Sequence, residues 1–201
     1  MTKFLSILEK RRSIYSLDNK TDITNKQIIN AIEQCVKHTP TSFNSQTGRV
    51  VILFNEAYQK LWKKTLEILK DVTPSQNFDT TKKKIQSFSK GIGTVLFFEE
   101  QHTIRALEEK FPLYKDNFHS WSEQSSGMLQ FAVWLALTDL GLGANLQHYN
   151  PLIDEEVHKL FSVPTSWRLI SQMNFGTIKE PAGEKTYLDI NKRCKNFQTA
   201  E

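Results

Sequence analysis

The chain has few of the residues that mark a disulfide-rich, zinc-binding or membrane-spanning protein. Its 201 residues include two cysteines, Cys35 and Cys194, which form neither a Cys-x-x-Cys pair nor a Cys/His spacing suited to zinc. The longest apolar run, 131–137, is far shorter than the roughly 20 residues that span a bilayer. The first residues are amphipathic and do not resemble a secretory signal. We therefore expect a reducing compartment, the cytoplasm.

The chain also lacks a large charge of either sign. Its 26 Lys and Arg residues oppose 22 Asp and Glu residues, which leaves a net charge of +4. No basic stripe alternates with aromatic residues in the pattern typical of a nucleic-acid interface. We expect no nucleic-acid partner and no membrane partner. The 13 Phe, 5 Tyr and 4 Trp residues supply much of the area of a sizeable core.

Motifs for self-sufficient catalysis are missing as well. The sequence shows no Ser-His-Asp order, no paired carboxylates with an evident role and no phosphate-binding P-loop. The Gly91-Ile92-Gly93 segment lacks the third glycine of a dinucleotide fingerprint. An enzyme without its own acid, base or nucleophile needs a cofactor to supply the reactivity.

Hydrophobic periodicity predicts an α+β fold. A first helix is expected to end near Arg11 and Arg12, and a second begins at a capping box formed by Thr24 and Gln27. Asn55 is expected to cap a third helix, and Asp154 to start a later one. Apolar runs predict strands at 50–54, 95–98 and 167–175, with the run at 95–98 covered on both faces. Short helices are expected around 85–88 and 104–111, and loops at 73–81 and 112–119.

The longest predicted helix runs from a capping box at Ser120 and Glu123 to Gly141. Every residue of 128–137 except Gln130 is apolar, so we expect this helix to be buried at the centre of the assembly. The order of elements predicts a mixed central sheet flanked by helices, in a single domain of residues 1–201. The tail, about 184–201, has few apolar anchors and either frays or packs on a partner subunit.

A basic triplet follows the first predicted helix. The guanidinium groups of Arg11 and Arg12 match phosphate oxygens, and the Ser13 hydroxyl completes the set. Basic residues at a helix C-terminus also satisfy its free carbonyls and its negative end. The triplet alone is compatible with both interpretations.

A polar loop follows the second predicted helix. Ser42, Asn44 and Gln46 lie in Pro-Thr-Ser-Phe-Asn-Ser-Gln, directly before a predicted strand. In an extended segment the two amides would point to the same side, where their donors and acceptors suit the edge of a flavin ring. Asn and Ser beside Pro are also common in ordinary turns.

These two segments, together with Gly141-Leu142-Gly143-Ala144-Asn145-Leu146-Gln147-His148, resemble the nitroreductase family of FMN-dependent oxidoreductases in both residues and order. The resemblance extends from about Lys3 to Lys185. The form of the Pro-to-Gln loop and the ending at 175–185 are most similar to the fatty-acid-repression subgroup. In the family, the third segment runs along the flavin. The resemblance therefore implies that FMN contacts Asn145, Leu146, Gln147 and His148. Without the family, Gly141 is a helix C-cap and Gly143 a strand-entry glycine.

The same resemblance implies a homodimer whose flavin sites lie between the subunits. It implies a nitroreductase-like fold and a ping-pong reaction in which FMN passes hydride from NAD(P)H to nitroaromatic or quinone acceptors, with no catalytic side chain. The family usually has a basic residue two positions after the serine, where this chain has Tyr15. Lys185 is expected to supply that charge, with Arg193 as the second choice. The family often has an acidic residue near His148, which is either a substrate-side donor or a polar loop residue.

Three alternatives remain open at this point. The nearest is a flavin-binding regulator in fatty-acid or stress signalling with little turnover. The others are a basic nucleic-acid-binding module and a purely structural dimer.

Overall fold

A five-stranded sheet organises the computed structural model, which describes residues 1–197. Its strands are β1 (Leu17–Asp18), β2 (Gly48–Phe54), β3 (Gly93–Glu100), β4 (Leu142–Gln147) and β5 (Trp167–Ile178). Strand β5 pairs with β1, β3 and β4, and β2 pairs with β3. These pairings are antiparallel, and one isolated parallel bridge joins Ser13 to Ala144. The predicted α+β class is confirmed, with the parallel component confined to that bridge.

Helices cover both faces of the sheet. They are α1 (Lys3–Lys10), α2 (Asn25–His38), α3 (Asn55–Val72), α4 (Ser75–Phe88), α5 (Gln101–Lys110), α6 (Lys115–Asp139) and α7 (Asp154–Phe161). Short 3-10 turns occupy Ser42–Asn44, Pro112–Tyr114 and Ile190–Lys192. Helices α2 and α6 pack on one face, whereas α3, α4 and α7 pack on the other.

Strand β3 divides the core in two. Its Leu96 and Phe98 side chains join the cluster under α3, α4 and α7, and Val95 and Phe97 join the cluster under α2 and α6. Successive side chains of a strand point to opposite faces, so a strand covered on both faces must be apolar throughout. The prediction for this run is confirmed.

The second helix begins as predicted. The Thr24 side chain accepts a hydrogen bond from the Gln27 backbone N–H at 3.3 Å, and the Gln27 side chain accepts one from the Thr24 N–H at 2.9 Å. This reciprocal pair satisfies two donors that a helix start would otherwise leave free. Helix α1 ends at Lys10, so the Arg triplet begins directly beyond it.

Three predicted boundaries are wrong. The segment 73–81 is not a loop, because α4 starts at Ser75 and extends to Phe88, with Pro74 at its N-cap. Helix α6 starts at Lys115, so Ser120 and Glu123 lie inside the helix and form no capping box. Asn55 is the first residue of α3 and has a φ of 49°, and no side chain caps that helix.

Helix α6 is only partly covered. The one polar residue of 128–137, Gln130, is buried and accepts a hydrogen bond from the Ser171 hydroxyl at 2.9 Å. Met128 and Phe131 are instead 44% and 40% exposed. Within a single chain this helix is therefore not fully buried, and its burial at the centre of an assembly stays a prediction. Exposed apolar side chains grouped on one helix face mark a candidate interaction surface.

Candidate functional site

A cleft of about 550 Å³ lies beyond the end of α1. One wall is formed by the residues that follow α1, and the other by the segment that follows β5. The cleft is lined by Arg11, Arg12, Ser13, Tyr15, Ser16 and residues 180–185. The structure thus brings the basic triplet together with Lys185, although more than 170 residues separate them in the sequence.

The two arginines are held differently. The Arg11 guanidinium lies 4.7 Å from the centroid of the Trp134 ring, and Arg12 Nη2 donates a hydrogen bond to the Gly183 carbonyl at 2.8 Å. Burial, followed by the charge of Arg12, lowers the pKa of Arg11 from its ordinary value. Two adjacent like charges repel each other, and a bound anion would relieve that repulsion.

Lys185 completes the basic lining of the cleft. Its Nζ lies 5.0 Å from the centroid of the Tyr187 ring. Glu180 and Glu184 also line the cleft. Among the ion pairs of residues 1–197, none joins either carboxylate to Arg11, Arg12 or Lys185. The second-choice residue, Arg193, follows the last 3-10 turn and is exposed, and it does not line this cleft.

Strand β4 passes directly behind the triplet. The Ile14 N–H donates a hydrogen bond to the Ala144 carbonyl at 2.9 Å, and the Asn145 side chain donates one to the Ile14 carbonyl at 2.8 Å. Asn145 Oδ1 accepts hydrogen bonds from the side chains of Gln147 and Asn174, at 2.9 and 3.1 Å. Asn145 therefore joins β4, β5 and the triplet through three side-chain hydrogen bonds.

The other residues of the third segment have different surroundings. Leu146 packs against the core beneath α2 and α6, Gln147 is buried, and His148 is exposed. A side chain at Gly143 would meet Ile14 and Ile178 at 2.9 Å, so packing against these two residues requires a glycine there. Gly141 has a φ of 78° after α6, as a helix-ending glycine does.

The Pro-to-Gln loop is not extended. Phe43, Asn44 and Gln46 have φ values of 56°, 51° and 49°, in the left-handed region that few side chains favour. The prediction that Asn44 and Gln46 share one side of an extended segment is therefore wrong. Both amides are exposed, and the Gln46 N–H is held by the Thr41 hydroxyl at 2.9 Å. Ser42 is half-buried.

Aromatic packing fixes this loop. The Phe43 ring lies 4.9 Å from the Phe111 ring, 5.4 Å from the Phe118 ring and 6.1 Å from the Trp121 ring, between centroids. Such contacts contribute about 0.5–1.5 kcal/mol each beyond buried area. Phe43 thereby attaches the loop to the start of α6.

Gln46 lines a second cavity, of about 320 Å³, which the sequence did not indicate. The inner end of this cavity holds Glu99, which is 0% exposed. Burial raises the pKa of this carboxyl to about 7, although the Thr47 hydroxyl and the charges of Arg168 and Arg49 act to lower it. Glu99 follows the apolar run at 95–98 directly, and a charged residue continuing a buried strand was a signal that could have identified it.

Comparison with protein-family models shows that residues 8–177 match the Nitroreductase family. The chain belongs to the nitroreductase family. This membership supports a flavin-dependent oxidoreductase activity in the broad sense. The family predicted from the sequence is confirmed.

Curated relatives agree with this assignment. The chain is 35% identical to HBN1 of Saccharomyces cerevisiae over 187 residues, which cover 92% of this chain and 93% of that protein. It is 30% identical to the nitroreductase FRM2 of the same yeast, over 92% of this chain and 93% of the relative.

Solved nitroreductase structures share the fold. The nitroreductase CinD from Lactococcus lactis, in complex with chloramphenicol, superposes with a TM-score of 0.90 at 45% identity, over 98% of this chain and all of that one. A nitroreductase from Desulfitobacterium hafniense with bound FMN superposes with a TM-score of 0.71 over 98% of this chain and all of that one. At 15% identity, this second structure supports the fold alone.

Two features are absent from the described residues. None of the helices within 1–197 is long and apolar enough to cross a membrane. The same residues contain no group of three or more His, Cys, Asp and Glu side chains placed to hold a metal ion.

Proposed function

We propose that the protein is a homodimeric, FMN-dependent reductase of the cytoplasm. In this proposal it oxidises NADH or NADPH and reduces nitroaromatic or quinone acceptors by a ping-pong route. FMN supplies the redox chemistry when bound, since it can accept a hydride from the nicotinamide and pass it to the acceptor. The protein holds the cofactor, orients both substrates and limits access of water.

The observation that carries this proposal is the basic cleft. Arg11, Arg12 and Lys185 line it together with the Ser13 hydroxyl, and none of the three cations has a carboxylate partner among the described residues. Guanidinium and ammonium groups with a nearby hydroxyl are a donor set suited to the FMN phosphate. Lys185 occupies the same cleft as the triplet, which makes it the better choice than Arg193.

The ring would be held by other groups. We keep Asn145 among the proposed FMN-binding residues, although three of its side-chain hydrogen bonds lie inside the protein and support β4 behind the site. Gln147 follows on the same strand, with Leu146 and His148 on either side of it, and we assign these three residues to the edge of the ring. We assign Ser42, Asn44 and Gln46 to the ring and ribityl chain of FMN. The nearby aromatic cluster around Phe43 would exclude water from one side.

The positions of the two parts of the proposed FMN site support a dimer. The basic cleft and the cavity that contains Gln46 share no lining residue within one chain. Exposed apolar residues occur along α1 and α6 between them, namely Leu5, Leu8, Met128 and Phe131. A second copy packed on this apolar surface could bring its Asn44/Gln46 loop to the basic cleft of the first.

Ligand complexes of a related nitroreductase support the proposed substrates. CinD from Lactococcus lactis has been crystallised with chloramphenicol and with 4-nitrophenol, both of which are nitroaromatic compounds. It has also been crystallised with nicotinic acid, whose pyridine ring is shared by the nicotinamide of NAD(P)H. At 44–45% identity these complexes favour a similar slot in this chain.

Steady-state kinetics test the proposal. FMN-loaded protein is mixed with NADH or NADPH and with 4-nitrophenol or a quinone, and both substrates are varied. A ping-pong reaction gives parallel double-reciprocal lines. Bound FMN without turnover would contradict a reductase and support the regulator, and protein that never binds FMN would contradict both.

A further inference from the structure

The cavity beside Gln46 contains a buried carboxyl group that the flavin site does not use. The cavity lies between the end of α2, the start of β2, the end of β3 and the middle of α6. Its volume of about 320 Å³ is at the lower end of the range for small-molecule pockets, which suits a ligand with one ring. Its inner end is Glu99, on β3.

The polar atoms at this end are poorly paired. Both oxygens of Glu99, the Thr47 hydroxyl and Arg168 Nε are buried, and apart from a contact between the Thr47 hydroxyl and the Glu99 carboxyl, too poorly aligned for a full hydrogen bond, they have no partner within the described residues. Buried polar atoms are normally hydrogen-bonded, and an unsatisfied group lowers the stability of the fold. Such a group next to an open cavity is available to a ligand.

The walls of the cavity are mainly apolar. Val36, Val50, Leu129 and the Trp167 ring surround the space, and Ser125 on α6 adds one hydroxyl. Gly48 is directly opposite Glu99 in the sheet, and a side chain there would meet Leu129 at 3.0 Å and Glu99 Oε1 at 3.7 Å. The glycine therefore leaves the carboxyl uncovered from that side. Flat apolar walls and a polar inner end suit an aromatic ring with one polar substituent.

Charged groups around Glu99 come from four elements. Arg49 on β2 and Lys37 on α2 line the cavity, and Arg168 on β5 is the strand neighbour of Glu99. Glu123 on α6 forms an ion pair with Arg168 and so neutralises much of its charge. Burial outweighs the remaining positive charge and raises the pKa of Glu99 to about 7. A large fraction of the chains therefore has a protonated carboxyl at neutral pH.

We propose that this cavity binds a small aromatic primary carboxamide, whose amide pairs with the carboxyl group of Glu99. A protonated carboxyl offers a donor beside an acceptor, and a primary carboxamide offers the complementary acceptor and donor. The ring then lies between Leu129 and Trp167. This site is separate from the basic cleft, but it shares Gln46 with the loop that we assign to FMN, so the titrations use flavin-free protein.

Benzamide is the probe that tests the site, in calorimetric and NMR titrations of the 201-residue chain. We expect saturable binding that weakens about tenfold from pH 6 to pH 8, because the pairing form of Glu99 is lost as pH rises through its pKa. Glu99→Gln retains a donor and an acceptor, so this variant should bind benzamide with no such pH dependence. Glu99→Leu should weaken binding at least tenfold.

A second variant and a crystal structure test whether the loss of binding reflects misfolding and whether benzamide binds in this cavity. Ser125→Leu fills the cavity without altering Glu99, and it should also abolish binding. A crystal structure with benzamide should show the amide against Glu99. Displacement of benzamide by NADH would identify the nicotinamide end of the dinucleotide as the natural occupant. If benzamide stays bound in the presence of NADH, the natural ligand is a free aromatic carboxamide. Absence of saturable binding, equal binding by Glu99→Leu, or benzamide located elsewhere would overturn the proposal.

Discussion

Asn44 and Gln46 show what the sequence could and could not reveal about single residues. Their residue types and their position after α2 indicated a ligand-binding loop, and the resemblance to the family gave it a ligand. Their left-handed backbone was not predictable, since an Asn in a polar loop is compatible with an extended segment or a turn. That conformation is fixed by tertiary packing, notably by Phe43 against Phe111 and Trp121.

This backbone determines how the amides should be removed. Alanine would strain a residue with φ near 50°, whereas glycine adopts that region freely. We expect the double variant Asn44→Gly, Gln46→Gly to fold normally and to lose most of its bound FMN, as measured by the flavin-to-protein absorbance ratio. The control Ser45→Ala, in the same loop, should retain its FMN. Unchanged flavin content in the double variant would remove these two amides from the site.

Lys185 gives a second prediction at this scale. It is exposed, and an exposed ion pair contributes at most about 1 kcal/mol. Lys185→Met should therefore weaken FMN binding about fivefold at low ionic strength and less in high salt. Lys192→Met removes an equally exposed charge that does not line the cleft, and it should leave the FMN dissociation constant unchanged. Equal effects of the two variants would exclude a specific role for Lys185.

Glu99 makes stability depend on pH in an unusual direction. Its pKa is raised on folding, so its contribution is most favourable below the unfolded-state value of about 4.5 and is lost as pH rises to about 7. Glu99→Gln avoids this loss. Denaturant titrations should show that the variant gains stability relative to the wild type between pH 4.5 and pH 7, by up to about 3 kcal/mol. A difference that does not vary with pH would show that the carboxyl titrates normally.

At the scale of elements, the sequence predicted strong periodic segments and failed at polar ones. Helix α4 was missed at its start because its first residues are polar, and its burial depends on Ile85 and Phe88 near its end. The start of α6 was misplaced because Ser120 and Glu123 have the spacing of a capping box. In the fold, Glu123 instead forms an ion pair with Arg168 on β5. That partner is 45 residues away, and local spacing carries no information about it.

A single hydroxyl group connects α3 to the turn between α4 and β3, and its removal tests how much this connection stabilises the fold. The buried Tyr58 hydroxyl donates a hydrogen bond to the Phe88 carbonyl and accepts one from the Gly91 N–H at 2.9 Å. Tyr58→Phe leaves both backbone groups unsatisfied and should lower the free energy of unfolding by about 1–3 kcal/mol in urea titrations. Tyr114→Phe alters a partly exposed tyrosine and should change the free energy of unfolding by less than about 0.5 kcal/mol. Equal stabilities of the wild type and Tyr58→Phe would show that these two hydrogen bonds do not stabilise the fold.

At the scale of the whole molecule, the single chain leaves an apolar surface uncovered. The sequence correctly indicated that 128–137 is apolar, but periodicity cannot distinguish burial inside a chain from burial between chains. Met128 and Phe131 are exposed here, and we propose that a second copy covers them. The position of residues 198–201, at the end of the predicted tail, lies outside the described structure.

A charge on this surface should separate the proposed dimer. Phe131→Glu places a carboxylate where a partner chain is expected, and burying an unpaired charge is costly. Light scattering after gel filtration should show a monomer, with loss of FMN because the site needs both chains. Leu113→Glu introduces the same charge at an exposed residue of the 3-10 turn before α6, outside the 128–137 stretch, and should remain dimeric. A Phe131→Glu dimer with full flavin content would contradict the proposed interface.

The central claim is that FMN binds with its phosphate in the cleft formed by Arg11, Arg12, Ser13 and Lys185. Its most direct test is a titration of flavin-free protein with FMN, followed by the visible absorption and fluorescence of the flavin. The account predicts saturation at one FMN for each chain, and inorganic phosphate should compete for the cleft. FMN whose spectrum and fluorescence remain those of the free cofactor throughout the titration would contradict it.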